Sequence, residues 1–356
     1  MTPPTWPQDL LGPVSLDKAE KGRALFVREG CIACHGPHVA SKEYTEVVAP
    51  GRISNDSPAL PLWRIHRVGL DRIGTDPNVS QELVRSRVDL TRMGLDLAEV
   101  QRLLRRELEE QKRRQAAAMD ALRKKAPADP APRDLVYFQQ AYDASTQQIA
   151  NLNQLDFRSV SVGEGLNILD MIIRERYYTD RGFSESERAC YNGFGMLDLP
   201  DVGLGYKPRP LEGVWATPPF LHNGSIPTVY DLLSPASERP ERFYVGRREF
   251  DARKIGYVTM VVGKNDQKIK AVPGEFLFDT RLPGNSNSGH LFDDGNPPGK
   301  IGRTLKPEER EAIVEYLKIH RDDVDVIDYL KNHGGKYPER QPLKMPDCSA
   351  QLAGRR

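Results

Sequence analysis

The chain is 356 residues long, with 51 Lys and Arg against 50 Asp and Glu, so its balanced charge gives no reason to expect a nucleic-acid partner. Mean hydropathy is −0.57 and no apolar run approaches the roughly 18 residues of a membrane span, which excludes a transmembrane helix. Four cysteines are too few to staple a chain of this size, which is instead long enough to bury one large core or two modest ones.

In chain order, the opening MTPPTWPQDLLGP carries neither the basic start nor the apolar stretch of a secretory leader. Ser15 is placed to cap a helix through LDKAEKGRALFVRE, with Leu16, Ala19, Leu25 and Phe26 on its apolar side. Gly30 ends that helix, and Cys31-Ile32-Ala33-Cys34-His35 follow at once. Residues 36 to 65, rich in Pro, Gly, Ser and Asn, read as loop. From Asp96 to Lys125 the pattern predicts a long charged helix; its 101–125 portion holds nine basic and four acidic side chains and reads as a solvated insertion. The segment KKAPADPAPRD breaks it, so the insertion is placed at about 96–134. A second helical region is expected from Gln139 to Arg176, with Ile149, Leu152, Leu166, Ile168 and Ile172 as its apolar residues. Residues 202 to 300 hold most of the Gly, Pro and Asn and read as irregular, wrapping loops. Pro307 opens a last helix, with Glu308 and Glu309 in its first turn and a buried face of Ile313, Val314, Tyr316 and Leu317. The expected class is mainly α with long loops, one domain over 14–325 and a tail over 326–356.

The chemistry sits in Cys31-Ile32-Ala33-Cys34-His35. Two thiols three positions apart can each add to a haem vinyl group, and the adjacent imidazole is then held under the iron as its proximal ligand. A zinc half-site would need further Cys or His at matching spacing, which Cys190 and Cys348 do not offer. A thioredoxin-type motif belongs in a βαβ setting, not between a helix and a loop. The residues therefore predict one covalent haem c on Cys31 and Cys34, with iron on His35. Haem c is attached outside the reducing cytoplasm, so the protein is expected in the periplasm or extracellular space. With no leader at its start, the chain is expected to be the C-terminal part of something longer, or to have lost its leader. Cys190 and Cys348 are left to pair or stay free.

The second axial position is open to His38, His66, His222, His290, His320, His333 and seven methionines. His38 is too near His35 to reach the opposite face. His320 ends a helix, where the dipole favours its charge. His333 stands in a polar tail, and His66, in WRIHRV, reads as a surface residue. His222, in PPFLHNGSIPTVYDLL, precedes the tight turn Asn223-Gly224, and His290, in LPGNSNSGHLF, ends a loop of small polar residues that can bring a side chain over a flat cofactor. Both remain candidates.

The segment YKPRPLEGVWATPPFLHNGSIPTVYDLL (Tyr206 to Leu233) resembles the dihaem cytochrome c peroxidase superfamily. Together with RIGTDPN around Asp76, RFYVGRREFD at Arg242 to Asp251 and PGNSNSGH ending at His290, it resembles the branch containing the rubber oxygenases. The likeness runs from about Gly22 to Leu317, with the helix at 96–125 as an extra insertion. It implies a cytochrome c-like haem domain whose terminal helices cross beside the haem, Gly22 against Tyr316. It also implies His35 as proximal and His290 as distal ligand of the C-terminal, electron-transferring haem. Many of these peroxidases use instead a Met beyond the HNG-type turn, where this chain reads SPASERP. His222 then stands near a haem propionate, and Arg209 is a propionate partner. The relatives carry two haems and do their chemistry at the N-terminal one, whereas here a single CxxCH is preceded by 30 residues. The resemblance is thus to the C-terminal part alone and implies no catalytic residue. The expected function is single-electron transfer with a redox partner protein or a second haem domain. The alternative is a peroxidase- or oxygenase-type haem enzyme, or half of one, using peroxide or dioxygen.

Overall fold

A computed structural model describes residues 3–35, 45–48, 62–65, 67–125, 133–191, 203–262, 273–321 and 325–339, and the chain divides into two units. The first takes 1–51, 58–80 and 204–345; the second is built mainly from 81–203. In chain order the helices are α1 Gln8–Leu11, α2 Leu16–Arg28, α3 Ile32–His35, α4 Leu70–Ile73, α5 Asn78–Arg85 and α6 Leu97–Lys125. They continue as α7 Arg133–Asn151, α8 Val162–Asp180, α9 Glu185–Tyr191, α10 Val229–Leu232, α11 Pro307–Ile319 and α12 Val326–Asn332. The strands are β1 Thr45–Val48, β2 Leu62–Ile65, β3 Val68–Gly69, β4 Arg87–Val88, β5 Val160–Ser161, β6 Gly205–Tyr206 and β7 Arg242–Val245. After them come β8 Phe250–Asp251, β9 Gly256–Tyr257, β10 Met260–Val261, β11 Phe276–Asp279, β12 Leu291–Phe292 and β13 Lys300–Gly302.

In the first unit the Ser15 hydroxyl accepts from the Lys18 N–H and starts α2, as the sequence predicts. Its Ala19, Leu25 and Phe26 are buried against Ala312, Ile313, Tyr316 and Leu317 of α11. Gly22 makes this crossing possible, because a Cβ there would stand 1.9 Å from the Ala312 carbonyl oxygen. The Phe26 and Tyr316 rings meet edge to face at 5.4 Å, an arrangement aromatic quadrupoles favour. Buried His320 closes the same stack, its Nδ1 2.9 Å from the Tyr316 hydroxyl. Beyond α11, Val326, Ile327 and Leu330 of α12 are buried in this core. Burying each such side chain contributes about 1.5–3 kcal/mol.

Expectation and structure part over the fold class. Among the described residues helix makes up 49% and strand 12%, in several small sheets, so the protein is not clearly mainly α. The region from 202 to 300, read as irregular loop, holds β6 to β12 and the first residue of β13. Its largest sheet runs β10-β7-β11, antiparallel, with Phe243 opposite Phe278 and their rings stacked at 5.3 Å. These strands are two to four residues long, too short for a period-2 pattern to stand out, and β6 pairs with β3 from far along the chain. Most of the expected 36–65 loop lies outside the described residues, apart from the antiparallel pair β1 and β2.

In the second unit, Asp96 caps α6 by accepting from the Ala98 and Glu99 N–H groups. The predicted 139–176 helical region is two helices: α7 ends at Asn151, and α8 starts at a capping box formed by Ser161 and Glu164. Leu90, Val100, Val160 and Ile168 form a small core, while Leu166, expected on the apolar side, is exposed. Glu175 accepts from both Arg106 and Arg188 at 2.6 Å. Among the described residues no helix is long and apolar enough to cross a membrane.

Candidate functional site

Six side chains singled out in the sequence, Cys31, Cys34, His35, Arg209, His222 and His290, line one cavity of about 690 Å³ in the first unit. That volume lies within the range of cofactor and ligand pockets. Gly30, at φ +80, ends α2 and turns the chain sharply into α3, with the Cys31 N–H bonded back to the Phe26 carbonyl. Cys31 is buried; desolvation, helped by the Glu29 charge, pushes its thiol up to about 12. At the end of α3, the His35 Nδ1 lies 2.8 Å from the Arg209 carbonyl oxygen. A carbonyl only accepts, so Nδ1 carries the proton and Nε2 keeps its lone pair, the tautomer that serves as a metal ligand. Among the described residues no group of three or more His, Cys, Asp or Glu converges as a protein-only metal site requires.

His290 lies across the cavity from His35, their ring centres 6.4 Å apart. It ends the loop between β11 and β12 with φ at +49, a left-handed conformation unusual for a non-glycine residue. The loop is tied down along its length. The Asn223 amide donates to the Gly284 and Ser286 carbonyls, and the Ser286 N–H donates to the Asp76 carboxylate. The His290 N–H donates to the Ile73 carbonyl. Gly289 permits this approach, since a Cβ there would fall 2.3 Å from the Gly74 and Thr75 main chain. The buried Nδ1 of His290 has no hydrogen-bond partner. Burial first, then the neighbouring His35 and Arg239, pulls its basicity down to about 3, so the ring is neutral and able to bind a metal.

His222 also faces the cavity, stacked on Tyr206 at 3.9 Å. The Tyr206 hydroxyl donates to the Asp76 carbonyl and so fixes the platform beneath it. Desolvation lowers the His222 basicity, with Asp76 opposing. Arg72, Lys207 and Arg209 line the same cavity and are exposed, able to meet carboxylates of a bound group. No methionine lines it among the described residues. His320 and His333 are engaged elsewhere, with Tyr316 and Tyr329 respectively. His38, His66, Cys348 and the side chain of Cys190 lie outside the described residues.

Sequence reasoning missed Arg239, which holds four carbonyls around the His290 loop, and the cations Arg72 and Lys207. Asp76 stands in a quoted motif, but its hold on Ser286, 210 positions away, has no local signature. An arginine between Glu238 and Pro240 in a polar loop reads like any surface arginine.

Residues 205–244 match the family described as RoxA-like, cytochrome c-like. The match gives this part of the chain a cytochrome c-like character and implies a haem c cofactor. The segment contains Arg209, His222 and Arg239. The chain is 32% identical over 320 residues to the uncharacterized protein y4iJ of Sinorhizobium fredii, which covers 89% of this chain and 41% of that protein. It is 40% identical over 121 residues to the uncharacterized protein y4iM of the same organism, covering 32% of this chain and 27% of that one. The chain thus spans less than half the length of these curated relatives.

Proposed function

We propose that this chain is a c-type cytochrome holding one covalent haem through Cys31 and Cys34, with His35 and His290 as axial ligands, and that it transfers single electrons outside the cytoplasm. The observation that carries the reading is the 6.4 Å between the two imidazole centres. Two imidazoles that each bind one ion at ~2.0 Å have ring centres about 6–6.5 Å apart. The buried, unpartnered Nδ1 of His290, the ligand tautomer of His35 and the two adjacent thiols also fit the group. Bound there, haem c supplies a one-electron iron couple.

The side chains divide the work. Cys31 and Cys34 anchor the cofactor, and the Arg209 carbonyl aims His35 Nε2 at the iron. Phe292 packs edge-on against His290 at 5.8 Å and helps to exclude water. Arg72, Lys207 and Arg209 stand where carboxylates can be held. With both imidazoles committed to it, a bound haem would offer peroxide or dioxygen no site, and the chain would exchange electrons with a redox partner protein or a second haem domain. Attachment of haem c calls for an exported protein, in the periplasm or beyond.

The haem-loaded full chain is expected to give low-spin, six-coordinate spectra in both oxidation states and to resist carbon monoxide when reduced. His290→Ala should convert it to a form that binds carbon monoxide readily. Ready binding by the unmodified protein overturns the reading and points to an open, peroxidase- or oxygenase-type iron.

A further inference from the structure

The peptide that carries His290 is gripped by a buried cation. Arg239 is 5% exposed, and its two terminal nitrogens donate to four main-chain carbonyls. Nη1 reaches Asn287 at 2.7 Å and Gly289 at 2.9 Å; Nη2 reaches His290 and Leu232, both at 2.9 Å. Three of these acceptors fall within the last four residues of the loop ending at His290. Burial draws the guanidinium down to about 10, with Asp231 opposing, so it stays charged at neutral pH. A buried charge is destabilising unless its donors are used, and an apolar side chain could fill the same space. The use it finds here is the loop. His290 and Gly289 have φ at +49 and +74, and a non-glycine residue persists in that region only where its surroundings over-determine it. A guanidinium meets the need, because its planar fork reaches four carbonyls from two separated nitrogens, whereas an ammonium offers three donors from a single point.

We infer that Arg239 is a positioning residue of the haem site: it clamps the His290 backbone so that the imidazole stays over the iron, and it sets a permanent positive charge behind that ligand. The inference rests on the His35 and His290 reading above. A fixed positive charge in a low-dielectric surrounding favours the less positive, reduced iron. Loss of the clamp should loosen the ligand, and loss of the charge should lower the potential.

The test uses the haem-loaded full chain in five forms: wild type, His290→Ala, Arg239→Gln, Arg239→Lys and Arg310→Gln. Arg310 is the control, equally buried but donating to Leu305, Ser234 and Glu238 rather than to the His290 loop. Arg239→Gln should show a high-spin fraction and a lower midpoint potential. Its reduced form should bind carbon monoxide about tenfold more tightly than wild type, or more, as follows from losing one charge-assisted hydrogen bond of the four. Arg239→Lys should keep a potential near wild type yet gain carbon monoxide binding, because it retains the charge without the fork. Arg310→Gln should melt earlier with unchanged spectrum and potential. A wild-type spectrum and wild-type carbon monoxide behaviour in Arg239→Gln, beside an altered His290→Ala, overturn the inference alone. If Arg239→Gln does not fold, the same wild-type behaviour in a folded Arg239→Lys overturns it. A His290→Ala protein with the wild-type spectrum overturns the ligand reading and the inference with it.

Discussion

His35 and His290 reach the same cavity by opposite means. His35 is fixed by its neighbours in sequence, one turn after Cys31, and by one distant carbonyl at Arg209. His290 has no helix behind it and depends on bonds from Ile73, Asp76, Asn223 and Arg239 to its loop or to itself. Replacing both Cys31 and Cys34 by Ser should therefore leave haem bound but extractable with acidified organic solvent, whereas the unmodified protein retains it. Asp76 makes a second prediction at this scale. Burial tends to raise its carboxyl, but the Asn78 side chain and the N–H groups of Asn78 and Ser286 more than offset that, and the net shift is downward. A depressed carboxyl stabilises the fold above its ordinary unfolded value near 4, and the contribution is lost as pH falls below that value. Asp76→Asn should lower stability at pH 7 by about 1.5–3 kcal/mol and flatten the acid limb of a Tm-against-pH curve. An unchanged acid limb would show that Asp76 is not held as described.

Among the elements, glycines decide which backbones can touch. Gly22 lets α2 cross α11, and Gly74, Gly289 and Gly299 bring three main-chain segments together beneath His290. Gly22→Ala drives a methyl into the Ala312 carbonyl, and Tyr316 Cβ is only 2.9 Å from the same point, so relief must come from the helices moving apart. Overpacking of this kind destabilises by about 1–3 kcal/mol. A melt of the haem-loaded variant should show a clearly lowered Tm; an unchanged Tm would mean the crossing has slack. The short strands have a different logic. β12 and β13 pair in parallel right after His290, and the Leu291 N–H donates to the Gly299 carbonyl, so the sheet begins where the loop's work ends.

For the whole molecule, two units with separate cores predict two stabilities. The first buries the large cluster that includes α2, α11 and α12; the second has a smaller cluster around Leu90, Val100, Val160 and Ile168. Yet α6, α7 and α8, with 29, 19 and 19 residues, carry much of the helical signal. On heating, far-ultraviolet circular dichroism should fall before the Soret band changes, because the residues proposed to hold the haem all belong to the first unit. Coincident transitions would show one cooperative unit and refute this.

The sequence by itself determined what is local. The CxxCH turn, the Ser15 cap, the Pro307 start and the faces of α2 and α11 are written in residues within one or two turns of each other. Gly22 and Tyr316 could be named only through the likeness to cytochrome c-type domains, since they stand on separate helices and no spacing links them. The tertiary structure alone decided the rest: the small sheets between 202 and 300, the division of the 139–176 helical region, and Arg239. Strands of two to four residues have no period to read, and pairs such as β7 with β11 or β3 with β6 close only in the fold. Arg239 looks solvated in sequence, and only the folded loop shows its donors turned inward to four carbonyls. The same holds for the proposed ligand pair. Six residues could be named from sequence, but the 6.4 Å that unites His35 with His290 exists only once segments 255 positions apart are folded together.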